Sequence, residues 1–301
     1  MACGVQPPRL TFVSMLHYLE RREGSGRKSV ETLLADGRRL TLAVRHPLVV
    51  FADPEVADAV EEARAAVGLS AWTRVERLPL EETETWRRYG PRFLALSLAP
   101  RFRLSNSKDS LLFRFLTWAK MEYVARVVEE NPFGSSHVGW IDLGLAYAIA
   151  PADPAALDAV VASAPDPVRL CRMYPSEPAE IGDDWMLHVL AAGLLTAAVP
   201  TWREVLPLFR SQAERSLELG IPRLEECMLA TIWARHPRLF APYWGDYADV
   251  VANYVRPTRN APCLLRRAIE ALRTGRYAAA VARRRPRVPP ARLTLPGAQP
   301  T

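Results

Sequence analysis

The stretch 131-NPFGSSHVGWIDLGLAY-147 decides how this chain is read. Asn131-Pro132 halts whatever precedes it, because proline lacks an N–H and restricts the residue before it. From His137 to Ile141 runs an apolar segment of strand length, and it drives straight into Asp142 and then Gly144. A carboxylate at the end of a buried strand either fixes the following turn or holds a charged ligand. The neighbouring segments have to separate these two readings.

Upstream lies 107-SKDSLLFRFLTWAKMEYVARVVEE-130, with Leu112, Leu116, Ala119, Tyr123 and Val127 along one side, the spacing of a long helix. Further back, Leu10–Met15 and Leu48–Phe51 are short apolar runs that read as strands. Between them and the helix, 55-EVADAVEEARAAV-67 has a helical period opened by Asp53 or Pro54, and 72-WTRVERLPL-80 alternates like a strand. Strand alternating with helix predicts a mostly parallel sheet with helices on its faces. Downstream, Val168–Tyr174 and Trp185–Leu190 read as strands, followed by helices over Trp202–Leu219, Leu224–Arg235 and Cys263–Thr274. The expected architecture is an α/β domain over residues 1–280 with a helical C-terminal part. A basic, Pro-rich tail over 281–301 lacks the apolar residues needed to order itself.

Open parallel sheets bind ligands beyond the carboxyl ends of their strands. Asp142 falls at such an end, and so does Asp53. A carboxylate there can hold Mg²⁺ or Mn²⁺ against a diphosphate, and Gly144 lets backbone approach a ligand closely. On spacing alone, a structural role for Asp142 stays open, and Asp53 before Pro54 also suits a helix N-cap.

Composition narrows the classes. Hydrophobic residues make up 49% and charged residues 24% of 301, ordinary for a globular protein. No apolar run approaches the ~20 residues that cross a bilayer, and the opening MACGVQPPRL lacks the pattern of a secretory signal. The four cysteines, Cys3, Cys171, Cys227 and Cys263, show no metal-ligand spacing, which points to reduced thiols in a cytoplasmic compartment. The net charge of +6 sits partly in 283-RRRPR-287, and the rest is diffuse, so no nucleic-acid partner is expected.

Several blocks, taken in order, carry a resemblance: TFVSML, FADPE, 119-AKMEYVARVVEENPFGSSHVGWIDLGL-145, 192-AGLLTA-197, 225-EECML-229 and 237-PRLFAPYWGDYADVVANY-254. Together, over about residues 10 to 275, the chain resembles the HtrL/YibB-like family and related glycosyltransferase-like proteins of large DNA viruses. The resemblance implies a GT-A-like, nucleotide-diphospho-sugar transferase fold and a location in a bacterial cell or a virus-infected host cell. It implies a UDP- or GDP-sugar donor, a glycan or glycoprotein hydroxyl as acceptor, and Mn²⁺ or Mg²⁺ held at the diphosphate by Asp142. In this reading Asp142 either holds that cation or orients the donor's ribose or sugar, Lys120 meets the diphosphate, and Glu226 takes the acceptor's proton. Gly193 supplies a close turn, Thr11 and Ser14 lie beside the nucleotide, Asp53 touches uracil or ribose, and Arg64 approaches the diphosphate. The sequence departs from the family's pattern at Ala192 and Ala197 in the glycine turn, at Glu225 in place of an aspartate, and in offering one acid where an Asp-x-Asp pair is common. A catalytically silent member of the fold, acting as a sugar-nucleotide-binding or structural scaffold, is the competing reading. A binder of nucleic acid through the arginine-rich tail is a third.

Overall fold

The computed structural model describes residues 7–19, 28–97, 110–149, 151–173, 181–183 and 189–256. The expected helix over 263–274, the tail and most of 185–190 lie outside these residues, as do Cys3 and Cys263.

In chain order the principal elements are β1 (Leu10–Leu16), α1 (Val30–Arg39), β2 (Leu48–Ala52), α2 (Pro54–Ala65), β3 (Thr73–Arg77), α3 (Glu84–Leu94), α4 (Leu111–Glu130) and β4 (His137–Ile141). There follow α5 (Ala156–Ser163), β5 (Arg169–Arg172), β6 (Leu190–Ala198), α6 (Val199–Glu218), α7 (Glu225–Arg235), β7 (Tyr243–Trp244) and α8 (Ala252–Val255). The strands form one sheet in the order β3-β2-β1-β4-β6-β5-β7. Only β6 runs against its neighbours β4 and β5; the other strand pairs are parallel. The mostly parallel α/β sheet flanked by helices is thus the architecture expected.

β1, β2 and β4 are apolar at nearly every position because both faces of the sheet are covered. Side chains alternate between the faces. Val13, Val49, Phe51, Val138 and Trp140 join the core under α3, α4, α6 and α7. Phe12, Leu48, Val50 and Ile141 join the core under α1, α2, α5 and α8. Helix α4 is buried along most of its length, which its apolar sequence allows. It opens where the Ser110 hydroxyl accepts the Phe113 amide and ends where Asn131 turns left-handed at φ 41°. The Asn131 side chain then accepts the Ser135 amide and donates to the Ser135 carbonyl, aiming the chain into β4.

One expectation about the second half is corrected. The segment 192–197 is no turn: it lies inside β6, every residue of which is buried. Its small residues allow close packing against both cores, and Gly193 sits in extended pairing with β4. Because β6 is antiparallel, its amino end meets the carboxyl ends of β1 and β4 at one edge. That edge is where the cavity opens.

Candidate functional site

A cavity of about 330 Å³ lies between the carboxyl ends of β1 and β4, helices α1 and α4, and the start of α7. Its α4 wall is one helical stripe, Phe113, Leu116, Thr117 and Lys120, at the three- and four-residue spacing that puts side chains on one face. Trp140 and Asp142, two residues apart, project from β4 to the same side as α4. Across them stand Glu225 and Glu226, in the first turn of α7, where helix geometry favours acids.

The centre is an ion cluster. Lys120 Nζ lies 2.9 Å from Asp142 Oδ1 and 2.8 Å from Glu225 Oε1. Burial opposes the charge on Lys120, but Asp142 and Glu225 outweigh it and push the ammonium's pKa up. Burial pulls the Glu225 carboxyl upward, aided by Glu226 and opposed by Lys120. Lys120 therefore stays charged, while burial favours the protonated form of Glu225. The Trp140 indole N–H donates to Asp142 Oδ1 at 2.7 Å, and the Asp142 amide bonds to the Gly193 carbonyl. The Asp142 side chain, 38% exposed, is held by side-chain donors on its cavity side.

Glu226 is also fixed. Its Oε1 accepts the Ala192 amide at 3.0 Å and the Tyr247 hydroxyl at 2.7 Å. Tyr247 is held neutral by burial and by Glu226, which raise its pKa well above the usual value. At the far wall, Lys28 pairs with Asp36 at 3.0 Å and lies 3.4 Å from the centre of the Tyr147 ring. His17, just past β1, lines the floor. Asp53 Oδ1 faces its Nδ1 at 3.0 Å, and Tyr123 its Nε2 at 2.6 Å.

The expected site residues divide into two groups. Asp142, Gly144, Lys120 and Glu226 line the cavity. Gly193 abuts it from β6: a Cβ there would stand 3.0 Å from Leu145 Cδ1 and 3.5 Å from Asp142 Oδ2. Asp53 lies behind His17 and neither lines the cavity nor caps α2 with its side chain; its Oδ2 accepts the Tyr18 amide. Three placements are corrected. Thr11 is at the amino end of β1, bonded to Ser135, far along the strand from the ligand edge. Ser14 is mid-strand and fully buried. Arg64 is fully buried too, with its guanidinium bonded to the carbonyls of Leu42, Val44, His46 and Trp72. It ties α2 to the loops around β2 and is no part of the cavity.

Glu225, Tyr247 and His17 were not singled out as site residues by sequence. No local pattern ties Glu225 or Tyr247 to Lys120 or Glu226. Cys171 and Cys227 are buried thiols, as expected, and burial pushes the Cys227 thiol up to about 12. Among the described residues no helix is long and apolar enough to cross a membrane.

No family model matches the sequence, and no curated protein matches it. Among solved structures, the chain is similar to mouse xyloside xylosyltransferase 1 in its apo form, at a TM-score of 0.43 and 11% identity, over 84% of this chain and 95% of that one. A likeness that distant carries no argument about the chemistry of the cavity.

Proposed function

We propose that the protein is a glycosyltransferase of the GT-A-like class, moving a sugar from a UDP- or GDP-sugar to a hydroxyl of a glycan. The observation that supports this most is the cavity at the carboxyl edge of a parallel sheet, with a buried lysine beside Asp142 and a separate fixed carboxylate, Glu226, nearby. The ordered sequence blocks around Asp142 and Glu226 point the same way.

In this reading the donor's diphosphate lies against Lys120. Asp142, held by Trp140, orients the donor's ribose or sugar. The acceptor hydroxyl approaches Glu226. As the bond from the anomeric carbon to the diphosphate oxygen breaks, the acceptor oxygen bonds to that carbon and its proton passes to Glu226. The negative charge gathered on the departing nucleoside diphosphate faces the Lys120 ammonium. The apolar remainder of the wall, Leu116, Leu143 and Leu145 among it, keeps water from competing for the sugar.

The silent-scaffold reading draws on one observation: Glu226 already accepts two hydrogen bonds, which weakens it as a base. Release of nucleoside diphosphate from a panel of UDP- and GDP-sugars separates the two. Transfer chemistry predicts release that falls about 100-fold or more in Glu226→Gln, within the usual range for a lost general base. Tight nucleotide binding with no release from any donor, with or without glycan acceptors, supports the scaffold instead.

A further inference from the structure

Asp142 was expected to hold a divalent cation against the diphosphate. Such an ion takes several oxygen ligands at about 2.0–2.6 Å. Two carboxylate oxygens of the cavity do converge, Asp142 Oδ1 and Glu225 Oε1, but the point on which they converge is Lys120 Nζ, 2.9 and 2.8 Å away. A cation bridging those oxygens would occupy the ammonium's own position. The remaining acid, Glu226, is turned to the Ala192 amide and the Tyr247 hydroxyl. Among the described residues no three His, Cys, Asp or Glu side chains form a group that could hold a metal ion. In this arrangement Asp142 and Glu225 present those oxygens to Lys120 rather than to an ion.

Lys120 has what a built-in cation needs. Its ammonium is buried, its stem rises from the middle of a 20-residue helix, and its charge is kept by two carboxylates. An ammonium carries three N–H donors, and the two carboxylates engage two of them. Lys120 lines the cavity, where the third can meet a phosphate oxygen.

We propose that Lys120 takes the place of the divalent cation, so that the site binds its nucleoside diphosphate without metal. This rests on the donor-site reading above. Two carboxylates overmatch one ammonium, so an arriving diphosphate needs relief from one of them. Asp142 keeps its bond to Trp140, and Glu225, whose side chain is 3% exposed, is the acid whose charge burial disfavours. The groups facing Glu225 are Lys120 and Thr117 from α4, Asp142 from β4, Glu226 beside it and Tyr247 beyond.

The test is calorimetric titration of UDP and of GDP into the full chain, once in EDTA and once with millimolar Mn²⁺ or Mg²⁺. The expected result is binding in EDTA, changed less than about threefold by either metal and weakened at least tenfold in Lys120→Gln. Binding that appears only with a divalent cation, or tightens more than tenfold with one, overturns the inference and leaves the donor site standing. Binding of neither nucleotide under any condition overturns the donor site itself. Should Lys120→Gln fail to fold, Lys120→Met combined with Glu225→Gln removes the charge together with its buried counter-charge. That double variant is expected to show the same loss, and undiminished binding in it refutes the role given to Lys120.

Discussion

Replacing Lys120 with methionine probes the cluster through stability alone. The change keeps an apolar stem of similar length and removes the ammonium, leaving Asp142 and Glu225 without their shared partner. Deleting one member of a buried ion pair typically costs about 3–5 kcal/mol, most of it the penalty on the charge left behind. Here the two carboxylates divide that penalty unequally. The Asp142 side chain is 38% exposed and regains water, whereas that of Glu225 is 3% exposed and does not. The lower end of the range, about 3 kcal/mol, is therefore expected. At about 2 °C per kcal/mol for a protein of this size, the melting temperature falls by about 6 °C. The loss depends on pH with a definite sign. The folded Glu225 carboxyl titrates above its ordinary value of 4.5. Folded protein then holds a proton that unfolded chain has released, and stability drops as pH rises from 4.5 through the folded value. Without Lys120 that drop is larger, so the deficit measured by thermal melting at pH 8 exceeds the deficit at pH 5. Adding Glu225→Gln to Lys120→Met removes the stranded charge and recovers more than half of the loss at pH 8. A deficit under ~1 kcal/mol, or one equal at both pH values, refutes the claim that Glu225 is the partner left exposed to the cost.

Three further outcomes follow from the same geometry. Gly193→Ala places a methyl 3.0 Å from Leu145 Cδ1 and beside Asp142; chemical denaturation is expected to show a loss of about 1–2 kcal/mol, with weaker nucleotide binding by calorimetry. Tyr247→Phe removes the hydroxyl that donates to Glu226; a hydrogen bond to a charged group contributes about 1.5–3 kcal/mol, so chemical denaturation is expected to show a loss of that order while the Kd for UDP or GDP stays within about threefold. Arg64→Met strips hydrogen bonds from four carbonyls; the melting temperature falls, by at least ~3 kcal/mol of stability, yet nucleotide affinity is unchanged, because Arg64 stands outside the cavity.

What the sequence made legible followed from local pattern. His137–Ile141 is apolar and stops at an acid, so β4 and the position of Asp142 were readable together. Helix α4 is long and has a clear apolar period, so the place of Lys120 within it was readable too. Strand β6 was obscured because burial on both faces removes the alternation that marks a strand, and the family resemblance placed a glycine turn at 192–197. Thr11, Ser14 and Arg64 were misplaced for a tertiary reason. Which end of β1 meets the ligand edge depends on its parallel pairing with β4, and an arginine's fate depends on which carbonyls lack partners around it. The pairing of Lys120 with Glu225 and of Glu226 with Tyr247 joins residues distant in sequence, so no spacing rule exposes it. The sheet brings these pairs together, and only the packing of α7 across α4 shows that the lysine lies between two acids.

The most direct measurement is a crystal structure of the full chain grown with UDP or GDP in EDTA. The account predicts the diphosphate in the cavity between β1, β4 and α7, with a phosphate oxygen within hydrogen-bond distance of Lys120 Nζ and Asp142 still on Trp140. Nucleotide bound elsewhere, or Lys120 still closed off by both carboxylates with the diphosphate out of its reach, contradicts it.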